Sequence, residues 1–128
     1  MISEIRKGAR ANSAVVSWFE SNYGTGYFLS SMVIGEIRKG IVRLEFQDPV
    51  SAAKLNGWLE ETCRLFQGRI IGIDAEIAKV WGEISAKDPP PVIDGLMAAT
   101  AIARDLTLVT RNEADVKRTG VRYLNPFG

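Results

Sequence analysis

Asp94 sits in the run Val92-Ile93-Asp94-Gly95-Leu96-Met97, with apolar side chains on both sides. A carboxylate among apolar neighbours is expensive unless something meets its charge. Asp115 follows the apolar run 106–110 after a short polar turn, and Glu36 lies just after the aromatic and apolar run 27–30. Three such carboxylates brought together would repel one another. A hard divalent cation such as Mg2+ or Mn2+ relieves that repulsion and takes oxygen ligands. Such an ion lowers the pKa of a bound water and stabilises a phosphoryl oxyanion, so the acid set is suited to phosphodiester hydrolysis. That scheme needs no histidine, and the chain has none.

The missing histidines remove Ser–His–Asp hydrolysis, histidine-ligated zinc and imidazole bases. The single cysteine, Cys63, can form neither an internal disulfide nor a multi-cysteine metal site, and it has no imidazole to activate it. With 128 residues, 46% hydrophobic and 24% charged, the chain is expected to form one domain over 1–128 with a substantial core. No apolar run is long enough to span a bilayer, and Glu4, Arg6 and Lys7 interrupt any signal-peptide pattern. The expectation is a cytoplasmic protein. A net charge of +1 does not announce a nucleic-acid binder, although local basic patches remain available.

The acids need elements to hold them. Residues 2–8 and 12–20 suggest short helices, and 27–30 a strand. A helix over 31–46 places Val33, Ile34, Ile37, Ile41 and Leu44 on one stripe. Asp48 and Pro49 form the cap and first position of a helix to about 66, with Leu55, Trp58, Leu59, Cys63 and Phe66 on one side. A strand over 69–73 leads to Asp74, the cap of a helix that ends before Pro89. The helix at 92–104 is apolar almost all round and should be buried. A strand at 106–110, a short helix at 113–119 and a strand at 121–124 complete the order. Short apolar strands alternating with helices predict an α/β fold, a parallel sheet with helices on both faces. In such sheets ligands gather beyond the carboxyl ends of the strands, the edge from which all three acids follow.

Each acid also has a structural explanation. Glu36 suits a surface pairing with Lys39, Asp94 complements the dipole of its own helix, and Asp115 stands at capping-box spacing from Asn112. Arg38, Lys39 and Arg43 flank Glu36, while Arg111, Lys117 and Arg118 flank Asp115. They are placed either to contact RNA phosphates or to form a solvated face.

Three ordered blocks carry a family resemblance. Ser-Ser-x-x-x-Gly-Glu-Ile-x-x-Gly at 30–40, Pro-x-Ile-Asp-Gly-Leu-x-Ala-Ala-Thr-Ala at 91–101 and Leu-Val-Thr-Arg-Asn-x-x-Asp at 108–115 resemble PIN-domain proteins, and among them the VapC-type toxins of toxin–antitoxin pairs. The resemblance covers essentially the whole chain. It implies a three-layer fold, a small parallel sheet flanked by helices. It also implies a Mg2+- or Mn2+-dependent endoribonuclease, a homodimer, and a VapB-like antitoxin as partner. Glu36, Asp94 and Asp115 match three of the family's four acidic positions, and Thr110 and Asn112 match polar residues bordering that pocket. The family's first acid comes from a strand ending in Asp-Thr-Asn. The sequence begins just after that point, at Met1-Ile2-Ser3-Glu4, where relatives often read Val-Ile-Ser-Glu. The expectation is therefore a PIN-like fold without its first strand, with weak metal binding and weak RNA cleavage. The competing expectation is a catalytically impaired PIN domain that binds antitoxin or RNA. A receiver-like phospho-acceptor is a third α/β option, but the paired acids near a first strand and the lysine on a last strand that it needs are not evident.

Overall fold

The computed structural model describes residues 27–110 and 112–125. The helices expected at 2–8 and 12–20, and Arg111, lie outside the described residues. The described order is β1 (Leu29–Ser30), α1 (Ser31–Glu45), α2 (Pro49–Leu65), β2 (Ile70–Ile71), α3 (Ala75–Ser85), α4 (Val92–Ala103), β3 (Leu108–Val109), α5 (Glu113–Val116), a 3-10 turn at Lys117–Thr119, and β4 (Tyr123–Leu124).

Helix starts follow the capping residues. Ser30 is the N-cap of α1, its Oγ accepting from the Met32 N–H at 3.1 Å. Asp48 caps α2 by accepting from the Ser51 N–H, with Pro49 at the first position, where its missing N–H costs nothing. Asp74 caps α3, its Oδ1 accepting from the Ile77 N–H at 2.9 Å. That bond, and then the Arg104 guanidinium that donates to the same carboxylate, hold Asp74 below the ordinary carboxylate range.

The expected apolar stripes become the core. Val33, Ile37 and Ile41, spaced four apart on α1, are buried with Leu59 and Phe66 of α2. Helix α4 is enclosed nearly all round, with Asp94, Gly95, Met97, Ala98, Ala99, Thr100 and Ala101 all buried. It packs chiefly against α3, and α1 chiefly against α2. Among the described residues no helix is long and apolar enough to cross a membrane.

The strands depart from expectation. Instead of one sheet with strands of four or five residues, the described residues form two separate two-stranded parallel ladders, β1 with β2 and β3 with β4, each strand two residues long. One cause is local competition at the end of α4. The Leu106 N–H donates back to the Ala101 carbonyl at 2.8 Å, and Asp105 takes the left-handed conformation (φ 55°) usual just past a helix. Leu106 therefore finishes the helix, and the ladder begins at Leu108.

One glycine is demanded by a close approach. A Cβ at Gly95 would stand 3.0 Å from Pro90 Cγ and 3.3 Å from both Cδ1 and Nε1 of the Trp81 indole. Gly57 in α2 also occupies a helix interior, but a Cβ there would meet nothing within 4 Å.

The two glycines should therefore respond with opposite signs. Alanine gains roughly 0.5–1 kcal/mol over glycine in a helix interior, so Gly57→Ala should raise stability by about that much. Gly95→Ala has to crowd a proline ring and an indole. Overpacking costs of about 1–3 kcal/mol exceed the propensity gain, so it should lower stability. Urea denaturation checks both, and equal gains would show that the Trp81–Gly95 approach is loose. A second expectation concerns acid. Because the folded Asp74 carboxyl lies below its unfolded value, its contribution is complete above the unfolded value and disappears as pH falls through the folded one. The stability gap between the native chain and Asp74→Asn should therefore be widest near neutrality and close in acid, read as melting temperature against pH.

Candidate active site

Chain reversal, more than the sheet, determines where Asp94 lies. Helix α4 runs into a tight return at 104–107, and β3 leaves in the opposite direction while packing against it. The first turn of α4 therefore stands at the carboxyl end of β3, where Thr110 and then α5 with Asp115 emerge. Asp94, in that first turn, is 3% exposed. Pro91 occupies the N-cap position and offers no side-chain hydrogen bond to the helix.

Asp115 is half-buried on α5. The capping-box explanation for it does not hold. Asn112 occupies the N-cap position, but its side chain makes no capping bond. Its N–H, the group a capping-box acid would accept from, donates instead to Thr110 Oγ1 at 3.0 Å. The Asn112 carbonyl accepts from the Asp115 N–H at 3.1 Å, so the main chain alone starts this helix. Thr110 is fully buried and shapes the turn between β3 and α5.

Glu36 lies in the second turn of α1, half-buried beside Ile37 of the core stripe. Helix α4 contacts both α1 and α5, so the elements carrying the three acids share one neighbour. The acids are not drawn into a tight group. Among the described residues, no set of three or more His, Cys, Asp and Glu side chains forms a cluster able to hold a metal ion. The donors are nonetheless of one chemical kind. Carboxylates from Glu36, Asp94 and Asp115, with the Thr110 hydroxyl and the Asn112 amide nearby in sequence, are all oxygen donors suited to a hard divalent cation.

The basic residues divide by use. Arg38 donates from Nη1 to Asn56 Oδ1 at 2.9 Å and lies 3.8 Å from the Glu45 carboxylate, bracing α1 against α2. Arg118 donates to the Pro89 carbonyl and stands beside Asp88. Lys117 is exposed. Cys63 is half-buried, and burial first, then the nearby Glu60 carboxylate, push its thiol up, which disfavours the nucleophilic thiolate.

A cleft of about 250 Å³ lined by Ala101, Ile102, Asp105, Leu106, Gly120, Val121 and Arg122 lies at the opposite end, where β3 and β4 begin. It contains none of the three acids and is not where their chemistry would occur. Sequence reasoning overlooked the contact of Trp81 and Pro90 with Gly95 immediately after Asp94. A glycine kept inside an alanine-rich helix, at a cost of about 1 kcal/mol against alanine, was the available signal.

Comparison with known proteins agrees with this geometry. The PIN domain model matches residues 1–121. The VapC ribonuclease Y4jK of Sinorhizobium fredii is 26% identical over 134 residues, covering 99% of this chain and 93% of that protein. Toxin FitB of Neisseria gonorrhoeae is 31% identical over 122 residues, 91% of this chain and 86% of FitB. The crystal structure of FitAcB from Neisseria gonorrhoeae superposes with a TM-score of 0.81 at 27% identity, covering 98% of each chain. The structure of FitAB bound to an IR36 DNA fragment gives a TM-score of 0.81 at 25% identity, over 100% of this chain and 96% of that one. The resemblance read from the three sequence blocks is borne out, and the chain belongs to the PIN-domain family.

Proposed function

We propose that this protein is the toxin of a VapBC-type toxin–antitoxin pair and an endoribonuclease dependent on Mg2+ or Mn2+. The observation that carries the reading is Asp94: a carboxylate buried to 3% exposure at the carboxyl end of β3, beside the turn that leads to Asp115. Its support from kinship is the likeness to a VapC ribonuclease over 99% of the chain and to toxin FitB over 91%. Solved complexes of FitA with FitB support an antitoxin as the partner. A homodimer is part of the same reading.

Glu36, Asp94 and Asp115 would hold the cation. When bound, it supplies charge neutralisation at a phosphodiester and a more acidic water for attack. The chain's own residues provide the rest. Burial fixes Asp94 and keeps competing water away from it. The Thr110 hydroxyl, bonded to the Asn112 N–H, sets the direction in which α5 leaves β3 and so the position of Asp115. Thr110 and Asn112 border the RNA backbone, while Arg111 and Arg38 meet its phosphates, Arg38 by exchanging its Asn56 and Glu45 contacts for a phosphate.

The scattered placement of the acids favours a second reading, a PIN domain that binds antitoxin or RNA without cutting it. RNA cleavage in Mg2+ separates the two. Under the leading reading the protein cleaves RNA, EDTA stops cleavage, and Asp94→Asn reduces it by at least about 100-fold, equivalent to the several kcal/mol that a catalytic ion supplies. The same substitution should leave or raise the melting temperature, because it removes the desolvation cost of a buried charge. Cleavage that survives EDTA or Asp94→Asn would defeat the leading reading. RNA or antitoxin binding without cleavage would establish the second.

A further inference from the structure

Arg118 lies in the 3-10 turn that follows α5, three residues after Asp115. It was one of the basic residues available to contact phosphate, yet its guanidinium is directed elsewhere. Nη2 donates to the Pro89 carbonyl at 3.2 Å, and Nε stands 3.6 Å from Asp88 Oδ2. These two contacts join the segment just past one candidate ligand to the segment just ahead of another.

The segment they hold is stiff. Pro89, Pro90 and Pro91 each have a fixed φ, so a tie at Pro89 carries through to the first turn of α4 with little slack. On its other side the Pro90 ring lies against the site where Gly95 lacks a Cβ, together with the Trp81 indole. The lead-in to Asp94 is thus gripped from α3 by Trp81 and from the α5 side by Arg118. The ion pair itself contributes little to folding, because both partners are substantially exposed, 41% for Arg118 and 72% for Asp88. Its geometric effect is larger than its energy.

We infer that Arg118 is a positioning residue that clamps the end of α5 to the Asp88–Pro89 lead-in and so sets the spacing of Asp115 from Asp94. This inference rests on the proposed sharing of one cation by those two acids. It differs from a phosphate-contact role in the sign expected at Asp88. Removing that acid would strengthen RNA binding if the region were only an electrostatic surface, but it loosens a clamp.

The test is Mn2+ titration of the full chain by calorimetry, with RNA affinity in Ca2+ and the melting temperature measured alongside. Arg118→Ala should weaken Mn2+ binding about 10-fold, the scale of losing a residue that orients a metal ligand, with the melting temperature almost unchanged. Arg118→Lys should recover little of this, because an ammonium cannot reproduce both contacts of the guanidinium. Asp88→Ala should also weaken Mn2+ binding, and the double variant should be no worse than Arg118→Ala alone. Asp88→Ala keeps the test decisive if Arg118→Ala fails to fold. Unchanged Mn2+ affinity in Asp88→Ala, full recovery in Arg118→Lys, or a loss confined to RNA affinity would each overturn the clamp. Asp115→Asn is the control. If it abolishes Mn2+ binding while the clamp variants do not, the clamp alone fails. If it leaves Mn2+ binding intact, the shared-cation reading fails and takes the clamp with it.

Discussion

Burying one carboxylate is the constraint on which the rest of this structure depends. Asp94 is 3% exposed in the first turn of a helix whose other buried positions are glycine, methionine, alanine and threonine. A charge withdrawn that far from water is retained only when the surrounding structure holds it firmly. The surroundings here are arranged to do so. Three consecutive prolines lead into the helix, an indole and a proline ring close on Gly95, and a guanidinium holds the Pro89 carbonyl.

The sheet has a small part in this arrangement. With two residues per strand, the described ladders contribute few main-chain hydrogen bonds. Placement of the acids comes instead from helix packing: α4 against α3 on one side, and its contacts with α1 and α5 on others. Glu36 and Asp115 are located by the elements that touch α4. The strands chiefly set the direction in which α1 and α5 set out.

Features governed by a few neighbouring residues were legible in the sequence. Asp48 and Asp74 act as caps because the bond each makes reaches only three residues ahead. The stripe of Val33, Ile37 and Ile41 follows from helical periodicity, and burial of α4 from its lack of a polar face. What was not legible depended on competition or distance. Strand ends could not be placed because Leu106 bonds back to Ala101, a contest between helix end and ladder that the apolar run 106–110 does not reveal. Asn112 looked like a side-chain cap, but Thr110 had already taken its N–H. The use of Arg38 on Asn56 and of Arg118 on Pro89 spans 18 and 29 residues, beyond any local pattern. The family blocks located the acids correctly as a set because those blocks follow the elements that carry them.

Enclosure of α4 also limits how this chain can change over time. Ala98, Ala99 and Ala101 have no exposed surface, so a larger side chain at any of them must displace a neighbouring element. A smaller one opens a void or frees the backbone. Sequence drift is thereby directed to the outer faces of α1 and α2, where residues such as Phe46 and Val50 are exposed and can be exchanged without moving Asp94. In such a protein, recognition surfaces can diversify quickly around a helix that scarcely changes.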